Sequence, residues 1–299
     1  MDSSIISTVL LPLALAIIMF GLGLSLTLDD FKRIIVFPKA VFLGAITQLV
    51  VLPMLGFIIA FFLLGTTPEL AVGLIILAMC PGGPTANLLT HLGNGDTALC
   101  ITLTAISSIV KTFTIPIMVN FAISTFMLQT VTMHLDIFST ILKIVTITLA
   151  PAALGMFIKS QFNTFADAAQ KPVKIMSAIF LVLIIVATLI KEKANIAQFI
   201  ADAGFAALLL NLLGMGIGYF LPTLFNLNKK QQLTISIETS IQNGTLAIGI
   251  ASSPLMLNNS TMAIPAAVYS IIMFITAGIF ISYLNSQARK NNTEQNSIN

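Results

Sequence analysis

Apolar runs of membrane-spanning length follow one another along almost the whole chain, and this leaves few folds open to it. A helix needs roughly 20 mostly apolar residues to cross a bilayer core. Nine such runs can be marked, at about residues 5–26, 38–63, 69–92, 97–121, 135–158, 172–190, 203–222, 231–255 and 261–285. The connections between them are too short to hold a second domain. Only 8% of the 299 residues are charged, against roughly a quarter in a soluble domain, so no water-facing surface can be built. The reading is an all-α membrane protein of about nine transmembrane helices. It forms one transmembrane domain over residues 1–290, with a polar cytoplasmic tail at residues 286–299.

A net charge of +3 gives no ground for a nucleic-acid partner. Cys80 and Cys100, both inside apolar runs, form neither a disulfide framework nor a zinc spacing. Met1-Asp2-Ser3-Ser4 lacks the positive start of a signal peptide, so the first run reads as a span that stays. The placement of basic residues is more informative. If the spans alternate, Lys32, Arg33, Lys39, Lys159, Lys171, Lys174, Lys229, Lys230, Arg289 and Lys290 share one side, against Lys191 and Lys193 on the other. The positive-inside rule then puts the N-terminus outside and the C-terminus in the cytoplasm of a cell (inner) membrane, and an odd number of spans agrees.

Two spans carry segments that no lipid-facing helix would hold. The third reads Cys80-Pro81-Gly82-Gly83-Pro84-Thr85-Ala86-Asn87, with two prolines and two glycines, which predicts a break near Gly82–Thr85. The eighth reads Glu238-Thr239-Ser240-Ile241-Gln242-Asn243-Gly244, with the lone acid Glu238 at membrane depth. Irregular backbone survives there only where protein or a water cavity satisfies it. Broken spans offer half-helix N-termini to anions and half-helix C-termini to cations.

These breaks fall in matching positions of two halves. Spans two and seven carry late prolines, Pro53 and Pro222; spans three and eight end their breaks with Asn87 and Asn243; spans four and nine carry Pro116 and Pro265. The repeats insert with opposite orientation. Inverted repeats with discontinuous helices point to a secondary transporter. An intramembrane enzyme is disfavoured, because the spans hold no second acid near Glu238 and no buried histidine.

Pro81-Gly82-Gly83 followed by Asn87, Gly95-Asp96-x-Ala98-Leu99, Glu238-x-x-x-Gln242-Asn243, Gln48-x-x-x-Leu52-Pro53 and Met19-Phe20-Gly21-Leu22-Gly23-Leu24 together resemble the bile acid:sodium symporter family, over about residues 10–285. The resemblance implies a core domain with two crossed discontinuous helices (about 38–121 and 203–285) and a panel domain (about 5–26, 135–158 and 172–190). It implies sodium-coupled symport of a small organic anion, bile-acid-like or a keto or hydroxy acid, by alternating access, from a monomer in the lipid bilayer. Position by position, a first sodium site would use Asn87, Thr104 and Glu238. A second would use Gln48, Glu238, Gln242 and the backbone carbonyls of Thr239 and Ile241. Hard cations prefer such oxygen ligands. Substrate would lie near Pro84, Thr85, Asn87, Asn243 and Gly244, against half-helix N-termini. The alternative for Glu238 is a protonated acid hydrogen-bonded inside the bundle.

The chain departs from the family pattern where serines are expected: Ala86 precedes Asn87, and Cys100 lies in the next span. Lys111 follows Cys100 and Thr104 on one helical stripe, about 10 Å past Thr104. Two readings of Lys111 stand open. Its ammonium replaces one sodium or meets substrate, or it snorkels to the outer interface. The first admits a proton-coupled or sodium-independent organic anion carrier as the alternative function, and one sodium ion instead of two. Lys143 reads as a snorkelling residue near the outer face. His91 and His134 lack metal or catalytic partners, and Asp96 reads as an N-cap of the fourth span.

Overall fold

The computed structural model describes residues 11–27, 29, 32–127, 135–191 and 196–298. His134, Lys193 and the start of the first apolar run lie outside the described residues. The described residues are almost entirely helical, and no strand occurs among them. In chain order the main helices are α1 (Leu11–Gly23), α2 (Pro38–Leu63), α3 (Pro68–Met79), α4 (Pro84–Leu92), α5 (Thr97–Phe126), α6 (Ile137–Gln161), α7 (Asn163–Lys191), α8 (Ile196–Leu224), α9 (Lys229–Ser240), α10 (Gly244–Ser252) and α11 (Ile264–Ile298). Among the described residues five stretches are long and apolar enough to cross a membrane: Pro38–Leu63, Thr97–Phe126, Ile137–Gln161, Ala197–Leu224 and Thr261–Ser286.

Proline chemistry sets much of the layout. Pro38, Pro68 and Pro84 open α2, α3 and α4, where the missing N–H costs nothing and φ is already helical. Inside helices the same residue does the opposite. Pro53 and Pro151 each follow a π-helical turn, Thr47–Val51 in α2 and Val145–Leu149 in α6. The ring blocks the bond to the residue four back, and the wider turn relieves that clash. Side-chain caps fix other starts. Asp96 accepts from the Leu99 amide at 3.1 Å, as its N-cap reading requires, and Asn228 accepts from that of Gln231 at 3.0 Å.

Both breaks are present, but each lies a little away from its expected place. The first helix stops at Met79 and resumes at Pro84, so Thr85 is helical. Cys80 turns extended (φ −71°, ψ 149°) because Pro81 disfavours helix in the residue before it. The second break spans only residues 241–243. Glu238, Thr239 and Ser240 stay in the last turn of α9, and Asn243 starts α10 by accepting from the Leu246 amide at 3.0 Å. The capping amide sets where that helix can restart.

The two extended segments meet. Gly82 and Gln242 form an isolated antiparallel bridge, and the Asn243 amide donates to the Pro81 carbonyl at 2.9 Å. This crossing is wrapped by α2, α5, α8 and α11. Close approach of α8 to α9 depends on Gly218: a Cβ there would overlap the backbone of Ser236. Elsewhere α1 packs against α6 and α7. Gly23 and Gly155 bring α1 and α6 into backbone contact, where any side chain would collide.

Besides an apolar core, the molecule carries an apolar exterior and a polar helix at its centre. Phe61, Phe62, Phe138 and Phe220 are exposed on the outside. Every residue of α9 from Gln231 to Ser240 is buried, and seven of these ten are polar: Gln231, Gln232, Thr234, Ser236, Glu238, Thr239 and Ser240. An apolar exterior around a polar centre is the form expected of a helix bundle whose solvent is lipid.

Candidate functional site at the crossing

Glu238 sits in the last turn of α9, with its carboxylate against the backbone of the first break. A Cβ placed on Gly82 would overlap that carboxylate, so only glycine admits it there. Two donors hold the carboxylate. The Thr104 hydroxyl of α5 lies 3.0 Å from one oxygen and 2.9 Å from the other, and the Cys100 thiol donates to Oε2 at 3.2 Å. The sequence treats Cys100 as a lost ligand; the fold makes it a donor to Glu238. The residue spacing on α5 explains this, since Cys100 and Thr104 are one turn apart on one face.

The second set of residues also converges. Gln48, in the π-helical turn of α2, and Gln242, in the second break, exchange side-chain hydrogen bonds at 3.2 and 3.3 Å. Gln242 Nε2 also donates to the Thr239 carbonyl at 2.7 Å and, more weakly, to that of Glu238 at 3.4 Å. Ile241 is extended (φ −105°, ψ 98°), so the backbone past Ser240 leaves the helix there. Gln48, Glu238, Thr239 and Gln242 are thus brought together within one cluster. Thr104 joins it through Glu238.

Asn87 lies in the first turn of α4, half-buried, with neither Nδ2 nor Oδ1 hydrogen-bonded. Asn243 uses its Oδ1 as a cap, yet its buried Nδ2 has no partner. Buried amides without partners are costly, by roughly 1–3 kcal/mol each. Both lie at the start of a half-helix, where free N–H groups and the helix dipole favour an anion. Thr85 and Gly244 occupy the same two helix starts, and Pro84 opens α4.

Lys111 is 1% exposed, and its ammonium donates to the carbonyls of Cys80 at 2.6 Å and Ala78 at 3.2 Å. It therefore does not snorkel to the outer interface: the side chain turns inward because α3 ends two residues short of a proline and leaves those carbonyls without helical partners. Lys143, by contrast, is half-buried and reaches the carbonyl of Leu255 in the loop after α10, at 2.5 Å.

Three participants are not among the residues singled out from the sequence. Asn211 of α8 and Tyr269 of α11 both donate to the Ser240 carbonyl, at 2.9 and 2.8 Å, and Thr276 donates to Asn211 Oδ1 at 2.6 Å. Asn211 was findable, as a lone amide in the apolar run Ala206–Leu213.

An acid, the five amides of Gln48, Asn87, Asn211, Gln242 and Asn243, and two broken-helix ends, enclosed by helices with an apolar exterior, define a membrane transport protein. A sequence profile described as the sodium bile acid symporter family matches residues 12–199. The chain belongs to that family, whose members are transporters and not enzymes. It is 28% identical over 288 residues to an uncharacterized sodium-dependent transporter, YocS, of Bacillus subtilis, covering 95% of this chain and 86% of that one. The probable chloroplastic sodium/metabolite cotransporter BASS1 of Arabidopsis thaliana is 29% identical over 271 residues, covering 89% of this chain and 65% of that one. The human sodium/bile acid cotransporter 4 is 30% identical over 273 residues, covering 90% of this chain and 61% of that one.

Proposed function

We propose that the protein is a secondary transporter that couples sodium to the movement of a small organic anion. The observation that carries this reading is the placement of Glu238, the acid on α9, inside the break between α3 and α4. One carboxylate thereby touches both interrupted chains and the ligand-bearing face of α5. A sodium ion bound here would make the movement of these elements conditional on its presence.

Sodium takes oxygen ligands, and two groups are at hand. Gln48, Glu238, Gln242 and the carbonyls of Thr239 and Ile241 would hold an ion at the end of α9. Gln242 now turns its N–H toward that end, so binding requires its carboxamide to rotate and present Oε1. Asn87, Thr104 and Glu238 would form the other group, which Ala86 and Cys100 leave short of ligands. The anion would bind at the starts of α4 and α10, near Pro84, Thr85, Asn87, Asn243 and Gly244, where the unpartnered amides face the helix ends.

Gln48, Thr104, Glu238 and Gln242 are each at most 1% exposed. Ions reach them only if the helices around the crossing part, which supports alternating access. The moving bodies would be a panel of α1, α6 and α7 against a core formed by the other helices. Nine membrane passes, counting each broken pair as one, would leave the termini on opposite sides, with the N-terminus outside and the C-terminus in the cytoplasm on our reading. Chain abundance of basic residues at one set of helix ends supports that sense.

Purified protein in proteoliposomes, given a panel of radiolabelled monocarboxylates and sulfonates with an inward sodium or choline gradient, tests the reading. Sodium-stimulated uptake of at least one acid is expected, lost in Glu238→Ala. Retention of sodium-stimulated uptake in that variant would overturn the assignment of Glu238.

A further inference from the structure

The two half-helices that run into the crossing are equivalent in the inverted repeat, and their ends are satisfied in different ways. Met79 ends α3 as Ser240 ends α9, so Ala78 corresponds to Thr239 and Cys80 to Ile241. At the end of α9 the donors are neutral: Gln242 on Thr239, and Asn211 and Tyr269 on Ser240. At the end of α3 the donor is the ammonium of Lys111, on the carbonyls of Ala78 and Cys80. These are the counterparts of the Thr239 and Ile241 carbonyls proposed above to ligate sodium. A half-helix C-terminus carries partial negative charge and favours a cation.

We propose that Lys111 is a tethered cation that fills the repeat-mate of the sodium site, so that each chain binds one sodium ion. The inference rests on the sodium-coupled reading and deepens it. The side chain is placed for this and not for substrate: Lys111 is 1% exposed, and two of its three N–H groups are already spent on carbonyls. It also makes no ion pair with Glu238 within 4.0 Å among the described residues, so the carboxylate keeps its oxygens for Thr104, Cys100 and an incoming ion.

Charge balance favours the same number. With Glu238 as carboxylate and Lys111 as ammonium, the empty crossing is neutral. One sodium ion and one monoanion keep it neutral, whereas a second sodium would leave one uncompensated charge in a region where charge is expensive. The empty and loaded carriers then meet no extra electrostatic barrier as they reorient.

Binding of ²²Na⁺ alone to the purified chain tests this without knowledge of the substrate. The parent is expected to bind one ion per chain with a hyperbolic isotherm. Lys111→Ala opens the mate site and is expected to bind two, with a Hill coefficient rising from about 1 toward 2; Lys111→Arg keeps the charge and the single ion. Two ions per parent chain would overturn the tethered-cation role and leave sodium coupling standing. A single ion with unchanged affinity in Lys111→Ala would also overturn it, as would two in Lys111→Arg. If Lys111→Ala does not fold, the parent and arginine isotherms decide. No sodium binding by the parent would overturn the sodium-coupled reading itself.

Discussion

Glu238 accepts from Thr104 and Cys100, and each donor has a separable consequence. Glu238→Gln keeps the shape and removes the charge, so sodium affinity is expected to fall at least tenfold, ~1.4 kcal/mol, in a ²²Na⁺ titration. Thr104→Val removes a hydroxyl and keeps the volume. It leaves Glu238 short of a donor and is expected to weaken sodium binding less than Glu238→Gln does. Gln48 and Gln242 bond to each other, so their effects will not add. A double-alanine cycle should give a coupling of roughly 0.5–3 kcal/mol in sodium binding; additive losses would show that the pair does not act as one ligand unit.

Helices meet the crossing through small residues and caps, and substitutions there act on stability. Gly218 lets α8 lie on the backbone of α9 at Ser236. Gly218→Leu would force the helices apart, at about 1–3 kcal/mol of overpacking. The expected readout is a lower midpoint in detergent thermal unfolding, together with weaker sodium binding, because the cluster on α9 shifts with its helix. Asp96→Ala removes the α5 cap at Leu99. It is expected to cost about 1 kcal/mol of stability and to leave the sodium isotherm in place. The contrast between these two variants separates damage to the fold from damage to the site. Both helix breaks could be read in the residues, yet each moved by a few positions. Proline restricts the residue before it, and a capping amide selects where a helix restarts; these two effects fix the ends to the residue.

As a whole the molecule encloses a polar crossing in an apolar shell, and this sets predictions about sidedness. Ser286 closes the apolar part of α11 and is exposed. With a cytoplasmic C-terminus, Ser286→Cys should react with a membrane-impermeant maleimide only after cells are permeabilised. Cys80 and Cys100 are fully buried, so the parent should give little background. Labelling of intact cells would reverse the proposed topology.

The sequence alone determined that the chain lives in lipid, that two spans break at Pro-Gly and Gln-Asn-Gly segments, and that Glu238, Gln48, Gln242 and Thr104 are unusual at membrane depth. These follow from local chemistry: apolar length, proline geometry and the cost of a polar group in hydrocarbon. Tertiary structure decided what lies opposite each of them. Lys111 shares a helical stripe with Thr104, and the stripe alone left its ammonium free to point outward or inward. The free carbonyls at the end of α3, brought alongside α5 by packing, settled that it turns inward. Asn211 and Tyr269 reach Ser240 for the same reason. Each lies 29 residues from Ser240 in sequence, and no local pattern records such a distance.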